Sequence, residues 1–200
     1  MEQLASIDPL IELMLGISLS AAVGFRVFAP LLVLSGAAVF GHLDLPTDLD
    51  WAETPQALTV LAVACLLEVG GYYIPWFDHL LDIVATPAAI VAGTIVAASV
   101  APEMNSVVQW TLALVVGGGT AGLTKGLMNI LRGTSTAASG GLTNPVVSTI
   151  ELVIALALSA LAVTLPLVAG AVVLTTLVVA IRQLWRIIAR PRKIDETGVI

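Results

Sequence analysis

Four ionisable side chains lie well inside the apolar stretches of this 200-residue sequence: Arg26, Glu68, Lys125 and Glu151. A charge at the centre of a bilayer costs at least about 2.5–3.5 kcal/mol, so its default interpretation is a functional site. Two bases and two acids also balance one another, which favours ion pairs between helices. A purely structural salt bridge is therefore the alternative, and both interpretations are open at this point.

Two further side chains extend this set toward the edges of the apolar stretches. Arg132 lies at the inner edge of its stretch, seven residues after Lys125. Tyr72 follows Glu68 by one helical turn, where the two side chains can share a hydrogen bond. We include both among the candidate pathway residues.

A polar segment, residues 133–144, precedes another apolar stretch. Asn144 and Pro145 have the residue types of a helix N-cap and a first helical residue. Ser148 and Glu151 follow three residues apart, on one face of that predicted helix. The positive end of the helix would then face the polar segment, which is typical of an anion site.

Motifs of enzyme chemistry are absent, so we expect no catalytic residue, no metal and no cofactor. The sequence lacks HExxH, GxSxG and a phosphate-binding loop. One cysteine, Cys65, excludes an intramolecular disulfide and a thiolate metal cage. The glycine triplet 117–119 lies in an apolar stretch and indicates a hinge or a close helix contact.

The composition is that of an all-α membrane protein. Hydrophobic residues make up 58% and charged residues 11%, with a mean hydropathy of +1.02, whereas soluble domains have about 25% charged residues. One soluble core of this size cannot bury so much apolar surface, so the lipid bilayer is the expected surrounding. The bases cluster near the C-terminus, which reports membrane orientation and no nucleic-acid partner.

Six apolar stretches are predicted to cross the membrane, where a span needs ~20 residues. The first is too long for one span and the third is short. Pro30 is expected to break the first stretch and the glycine triplet to interrupt the fourth. An amphipathic segment, 76–84, is expected to lie in the interface before the third. The stretches are 10–40, 55–74, 87–100, 107–131, 145–165 and 166–188.

Residues 1–200 are interpreted as a single transmembrane domain, with 191–200 as a basic cytoplasmic tail. Bases at the C-terminus place that end in the cytoplasm, and six spans then place the N-terminus there too. The acidic segment 41–54 would face outward. The N-terminal flank, which has acids and no base, does not fit this rule.

Two inverted repeats of three helices, 8–101 and 105–190, are a further prediction. The alignment pairs Arg26 with Lys125 and places a proline at the start of the middle and last helix of each half. In the predicted orientation Arg26 lies toward the outside and Lys125 toward the inside, as two gates of a pathway would. Inverted repeats are a common transporter plan, with the site between the halves.

Four ordered strings also resemble a known family. They are GFRVFAPL at 24–31, EVGGYYIPWFD at 68–78, ATPAA at 85–89 and GGLTNPVV at 140–147. They resemble a bacterial family of small multi-pass membrane proteins catalogued as domain of unknown function four-one-two-six. The resemblance implies a fold and an inner-membrane location but no activity. It also implies that five polar residues belong to family motifs: Arg26, Glu68, Asp78, Asn144 and Glu151.

We therefore expect a small membrane transporter or channel for an ion or a small solute, with an anion as one option. Arg26, Lys125 and the helix start at Asn144 would attract an anion. Glu68 and Glu151 would pair with those bases or exchange protons. A chain this short is expected to form a homo-oligomer around a closed pathway. The alternatives are a non-transporting scaffold or assembly protein and a lipid-moving protein.

Overall fold

Prolines and glycines set the boundaries of most helices in this chain. The computed structural model describes residues 8–41, 47–101 and 104–188. Five of the described helices have a proline in their first two positions, and Gly140 ends another helix in the left-handed conformation (φ 64°). In chain order the helices are α1 Asp8–Phe25, α2 Phe28–Val39, a 3-10 helix Thr47–Glu53, α3 Pro55–Gly71, α4 Pro75–Ser99, α5 Ser106–Ser139, α6 Asn144–Thr164 and α7 Pro166–Ile188.

The distribution of apolar and charged side chains is inverted relative to a soluble protein. Leu66 and Leu67 are each 71% exposed, whereas Arg26 and Glu151 are each 1% exposed. Four helical segments are long and apolar enough to cross a membrane: Leu80–Ser99, Ser106–Ser139, Asn144–Thr164 and Pro166–Ile187. These are the features of an all-helical membrane protein.

Helices α1 and α2 form a hairpin that enters and leaves the bundle at the same end. At its middle, α1 packs Gly16 against Ala97 and Val100 at the end of α4. After the turn at residues 26–27, α2 runs back, and the Ser35 hydroxyl donates to the Ala52 carbonyl (2.5 Å). Leu34 lies beside Trp51 and Ser99 there. We call this end of the bundle, which carries the start of α1, Trp51 and Ser99, the Trp51 end.

The opposite end, which we call the Gly140 end, carries the end of α5, the start of α6 and the turn between them. The end of α3 and the start of α4 lie toward it, because α4 and α5 run antiparallel: Gly117 packs on Gly93, whereas Asn129 bonds to Thr86. Helix α7 starts near Met14 of α1 and runs toward this end. The first residue of α1 and the last residue of α7 therefore lie at opposite ends of the bundle.

Pro30 explains where the hairpin turns. It has no backbone N–H, so the carbonyl four residues earlier, on Arg26, cannot accept a helical hydrogen bond. The chain leaves α1 after Phe25 and resumes as α2 at Phe28. The predicted break of the first stretch is confirmed. The number of six spans is not, because the two halves of this stretch do not continue in one direction.

Two other predicted interruptions were wrong. Segment 76–84 is not a separate interfacial helix, because α4 continues from Pro75 through Pro87 to Ser99. The Thr86 hydroxyl donates to the Asp82 carbonyl (3.0 Å), which lies one residue before the Ile83 carbonyl that loses its helical donor at Pro87. The glycine triplet does not split the fourth stretch either. Helix α5 passes through it with one π-helical segment, Ala113–Gly118.

The polar segment 133–144 is also mostly helical. Helix α5 extends to Ser139, so the connection to α6 contracts to residues 140–143. Gly140 and Gly141 take positive φ angles there, as the tight turn requires. The N-cap of α6 is Thr143 rather than Asn144. The predicted repeats 8–101 and 105–190 are not confirmed: Arg26 lies at a break, whereas its predicted counterpart Lys125 lies within continuous α5.

Helix α1 lies at the centre of the bundle and contacts α4, α5, α6 and α7. Its last ten residues are nearly all buried, which fits a helix that is apolar on every side. Small residues make the close approach possible. A Cβ on Gly117 would overlap the Gly93 carbonyl and the Ala97 side chain and lie 3.1 Å from the Ser20 hydroxyl. The triplet is thus a packing site between α1, α4 and α5.

We expect Gly117→Ala to destabilise the protein by about 1–3 kcal/mol, because the added methyl group has no room at a backbone contact. Gly119→Ala is the matched control, since a Cβ there would meet no atom within 4 Å. It should be neutral or stabilising by up to about 1 kcal/mol through helix propensity. Thermal unfolding of the purified proteins in detergent compares the two. Equal melting temperatures would contradict the tight packing at Gly117.

Candidate functional site

The buried charges converge on one aromatic ring. We call the group Arg26, Tyr72, Asp82, Lys125, Arg132, Ser148 and Glu151 the Tyr72 cluster. It is assembled from the α1–α2 turn, the end of α3, and helices α4, α5 and α6. Asp82, Arg132 and Glu151 are each seven residues from the helix end nearest the Gly140 end (75 to 82, 132 to 139, 144 to 151). At 1.5 Å per residue, the cluster lies about 10 Å inside the bundle.

Three bases surround the Tyr72 ring. The Arg26 guanidinium carbon lies 3.9 Å from the ring centroid and that of Arg132 lies 4.5 Å away. The Lys125 ammonium nitrogen is 5.6 Å from the same point. All three distances are within the range of a cation–π interaction, which is strongest where water is excluded. One aromatic ring therefore helps to stabilise three buried positive charges.

Glu151 is the central acid of the cluster. Arg132 donates through Nε to Glu151 Oε1 (2.9 Å) and through Nη2 to Oε2, a two-point ion pair. Arg26 Nη2 lies 3.6 Å from the same Oε2. Such bidentate pairs are geometrically specific and strong. The predicted pairing of Glu151 with buried bases is thus present.

Arg26 is only partly satisfied. Its Nη2 donates to the Ser148 carbonyl (2.8 Å) and to the Ser148 hydroxyl. Its Nε and Nη1 are buried and have no hydrogen-bond partner among the described residues. Unused donors on a buried cation cost free energy, so this group calls for an explanation beyond packing.

Asp82 joins the bases from the side of α4. Lys125 Nζ donates to Asp82 Oδ1 (2.9 Å), and the Tyr72 hydroxyl donates to the same oxygen (3.3 Å). Arg132 Nη1 lies 3.9 Å from Oδ2. Asp82 was not among the residues selected from the sequence, because segment 76–84 was interpreted as an interfacial segment. The feature that could have identified Asp82 is its position four residues before Thr86, on the face of α4 that contacts α5.

Glu68 has a different role from the other acids. Its Oε1 accepts from the Val27 amide (2.9 Å) and its Oε2 from the Phe28 amide (3.1 Å). These amides start α2 and have no helical partner, so the carboxylate caps the helix and faces its positive end. Glu68 makes no ion pair within the described part of the chain. Its predicted hydrogen bond to Tyr72 is not formed, since the Tyr72 hydroxyl contacts Asp82 and Lys125.

A cleft of about 700 Å³ leads from the Gly140 end to the Tyr72 cluster. It runs between α4 and α5 to the start of α6 and reaches Asp82 and Arg132. Asn144 lies in its wall, where its Oδ1 accepts from the Thr136 hydroxyl (3.3 Å). The remaining lining residues are Ile83, Thr86, Asn129, Gly133, Thr136 and Ala137. Arg26 and Glu151 lie behind Arg132, outside this lining.

Six of the eight residues selected from the sequence meet in the cluster: Arg26, Tyr72, Lys125, Arg132, Ser148 and Glu151. Asn144 lies in the cleft and Glu68 at the α1–α2 turn. Arg132 is 3% exposed and thus central, not at an edge as expected. The prediction that Arg26 and Lys125 lie toward opposite membrane sides was wrong, because both face the Tyr72 ring. The side chain of Asp78, a residue of the family motifs, lies outside the described part.

A family profile described as "Domain of unknown function (DUF4126)" matches residues 13–186. The chain belongs to this family. The match covers every residue of the Tyr72 cluster and the whole cleft, and it agrees with the resemblance found in the four sequence strings. No curated protein and no solved structure matches the chain.

The two parts of Tyr72 should contribute differently to stability. Tyr72→Phe keeps the ring beneath the bases and loses only the hydroxyl, which should cost about 0.5–1.5 kcal/mol. Tyr72→Leu removes the ring and should cost about 2 kcal/mol or more. Tyr73→Leu, at the neighbouring exposed position, also loses one hydroxyl hydrogen bond, with Thr149 (2.7 Å), and should cost no more than Tyr72→Phe. Thermal unfolding ranks the three variants, and equal losses for Tyr72→Phe and Tyr72→Leu would contradict the cation–π role.

Proposed function

We propose that this chain is a small membrane transporter whose solute enters through the cleft and meets the Tyr72 cluster. The observation that carries the proposal is the position of the cluster: charges that cost free energy to bury lie at the closed end of a cleft. A protein that only resides in the bilayer has no need of either feature. The small solute or ion is the expected partner.

The α1–α2 hairpin supports the same proposal. A turn of non-helical backbone inside a membrane is tolerated where it is buried in protein or lines a cavity. In transporters, interrupted helices supply free backbone groups and helix ends to a site in the bundle. Here the turn brings Arg26 into the cluster, while Glu68 satisfies the amides of the turn.

The two ends of the bundle differ in access. The cleft of about 700 Å³ opens from the Gly140 end. Toward the Trp51 end, the cavity beside Gly16 and Ala97 has about 20 Å³ and that beside Leu34 and Ser99 about 10 Å³. A carrier that is open to one side and closed to the other has this arrangement. Transport would then require the packing around Gly16 and Leu34 to open.

We propose that the Gly140 end faces the cytoplasm of a bacterial inner membrane. The bases Arg182 and Arg186, near the end of α7, lie toward it, and the positive-inside rule assigns that side to the cytoplasm. The start of α1 then lies outside, together with Asp50 and Glu53. This arrangement accounts for the acidic N-terminal flank, which six spans with a cytoplasmic N-terminus do not. The hairpin would leave five crossings, α3 to α7.

Cysteine labelling tests this topology. In a Cys65→Ala background, we expect Pro9→Cys and Asp50→Cys to react with a membrane-impermeant maleimide on intact cells. Leu142→Cys, in the α5–α6 turn, should react only after permeabilisation. All three positions are exposed in the bundle. If Pro9→Cys instead labels together with Leu142→Cys, the start of α1 lies on the cytoplasmic side and the five-crossing topology is wrong.

Flux measurements test transport itself. We expect proteoliposomes with the wild-type protein to take up small charged solutes above empty-liposome background and the Glu151→Gln variant to lose that flux. The variant leaves Arg132 and Arg26 without their shared carboxylate. Because losing one partner of a buried pair costs about 3–5 kcal/mol, only variant protein that is monodisperse and reconstitutes to equal density is compared. Asp50→Asn is the control, and normal flux in Glu151→Gln would remove Glu151 from the mechanism.

A scaffold or assembly protein is the second candidate. The ion pairs of Glu151 and Asp82 with three bases favour it, since charges paired in this way can serve only to hold α4, α5 and α6 in place. The flux assay separates the two: a well-folded wild-type protein without flux of any tested ion or solute favours the scaffold. The homo-oligomer expected from the short chain stays a prediction, and the cleft forms within one copy.

A further inference from the structure

Asp82 differs from the other acid that contacts the bases of the Tyr72 cluster. Its side chain is 20% exposed, whereas that of Glu151 is 2% exposed. Asp82 also lines the cleft and Glu151 does not. A molecule in the cleft therefore reaches Asp82 before it reaches any other carboxylate of the cluster.

The contacts of Asp82 are those of a replaceable anion. It accepts from Lys125 Nζ at 2.9 Å and lies 3.9 Å from Arg132 Nη1, while Arg132 is held independently by its two-point pair with Glu151. Rotation of the Asp82 side chain would leave Lys125 and Arg132 in position beside the cleft. Lys125 keeps its hydrogen bond to the Tyr72 hydroxyl (3.3 Å), so the two bases form a preorganised site for an incoming anion.

We propose that the cleft binds a solute with a carboxylate or phosphate group. This group replaces the Asp82 carboxylate in its contacts with Lys125 and Arg132. This inference rests on the proposed function, because it takes the cleft as the solute entrance. It goes beyond that function in naming the class of solute and the residue that competes with it.

The surrounding charges favour an anion over a cation. Arg26, Lys125 and Arg132 all face the Tyr72 ring, so a cation entering beside Asp82 would approach three positive charges. Behind them, Arg26 keeps two nitrogen atoms without a partner among the described residues.

Asp82→Asn gives a test in which the two solute classes predict opposite signs. The substitution removes a competitor for an anion but removes a ligand for a cation. It also leaves Lys125 without its closest carboxylate, so the variant should melt at a lower temperature than the wild type. Sodium phosphate should then restore its stability, at about a tenfold lower concentration than is needed to stabilise the wild type.

The measurement is thermal unfolding of purified full-length protein in detergent, with phosphate titrated against sodium chloride at equal ionic strength. Asp50→Asn, an exposed acid near the Trp51 end, is the matched control and should respond to phosphate as the wild type does. Lys125→Gln should lose the phosphate response. An equal response in Asp82→Asn and Asp50→Asn overturns the proposal. So does stabilisation by methylammonium that Asp82→Asn abolishes, since a cation site would behave in that way.

The anion can be a free solute or a lipid headgroup, and a second titration distinguishes them. Short-chain phosphatidate at sub-micellar concentration presents the same phosphate with acyl chains. A lower midpoint for phosphatidate than for inorganic phosphate assigns the site to lipid, and the reverse assigns it to a free solute.

Flux in proteoliposomes is measured separately from phosphate binding. Enhanced phosphate binding in Asp82→Asn without any wild-type flux retains the anion site and rejects transport, whereas flux with an unchanged phosphate response rejects only the role of Asp82.

Discussion

The two backbone amides at the α1–α2 turn impose the strictest condition on this structure. Inside a bilayer, an amide without a partner costs several kcal/mol. Val27 and Phe28 lose their helical partners because the chain reverses at the break that Pro30 causes, and Glu68 on α3 accepts from both. The reversal thus requires an acid at this depth. Because Glu68 stabilises the turn, Arg26, the residue before these two amides, lies inside the bundle.

The remaining charges follow from the position of Arg26. A buried guanidinium needs carboxylates and, where these do not surround it, the face of an aromatic ring. Tyr72 supplies that face at the end of α3, four residues after Glu68, so one helix holds both the turn and the ring. Glu151 and Asp82 approach from α6 and α4, and the bases of α5 lie between them. The cluster therefore links all the elements that border the cleft.

The composition of the chain and the free-energy cost of a charge in the membrane were sufficient to predict part of this arrangement. The membrane class follows from the apolar excess. The break follows from Pro30, because a proline cannot donate to the carbonyl four residues earlier in the helix. The buried charges were selected one by one, because each is costly wherever it lies. These inferences depend on local properties of the chain. They required no knowledge of which helices are neighbours.

The direction of the chain after the α1–α2 break and the ion-pair partners of Asp82 depend on residues far away in the sequence. Both were mispredicted. Hydropathy does not say whether the chain continues or reverses after a break, and here contacts such as Ser35 to Ala52 and Glu68 to Val27 decide. Asp82 was assigned to an interfacial segment, and local spacing could not correct this because its partner Lys125 is 43 residues away. Asn144 was given the capping role that Thr143 takes, a shift of one residue at a helix start.

The central position of α1 also bears on how the protein is made. A ribosome synthesises this helix before its neighbours α4 to α7. Until α7 packs beside Met14 and Ile17, the small residues of α1 face lipid or another protein instead of their native partners. With Arg26 at its far end, insertion of α1 without its partners would carry the cost of an unpaired charge. The α1–α2 hairpin is therefore expected to reach its final depth only after α7 has entered the membrane.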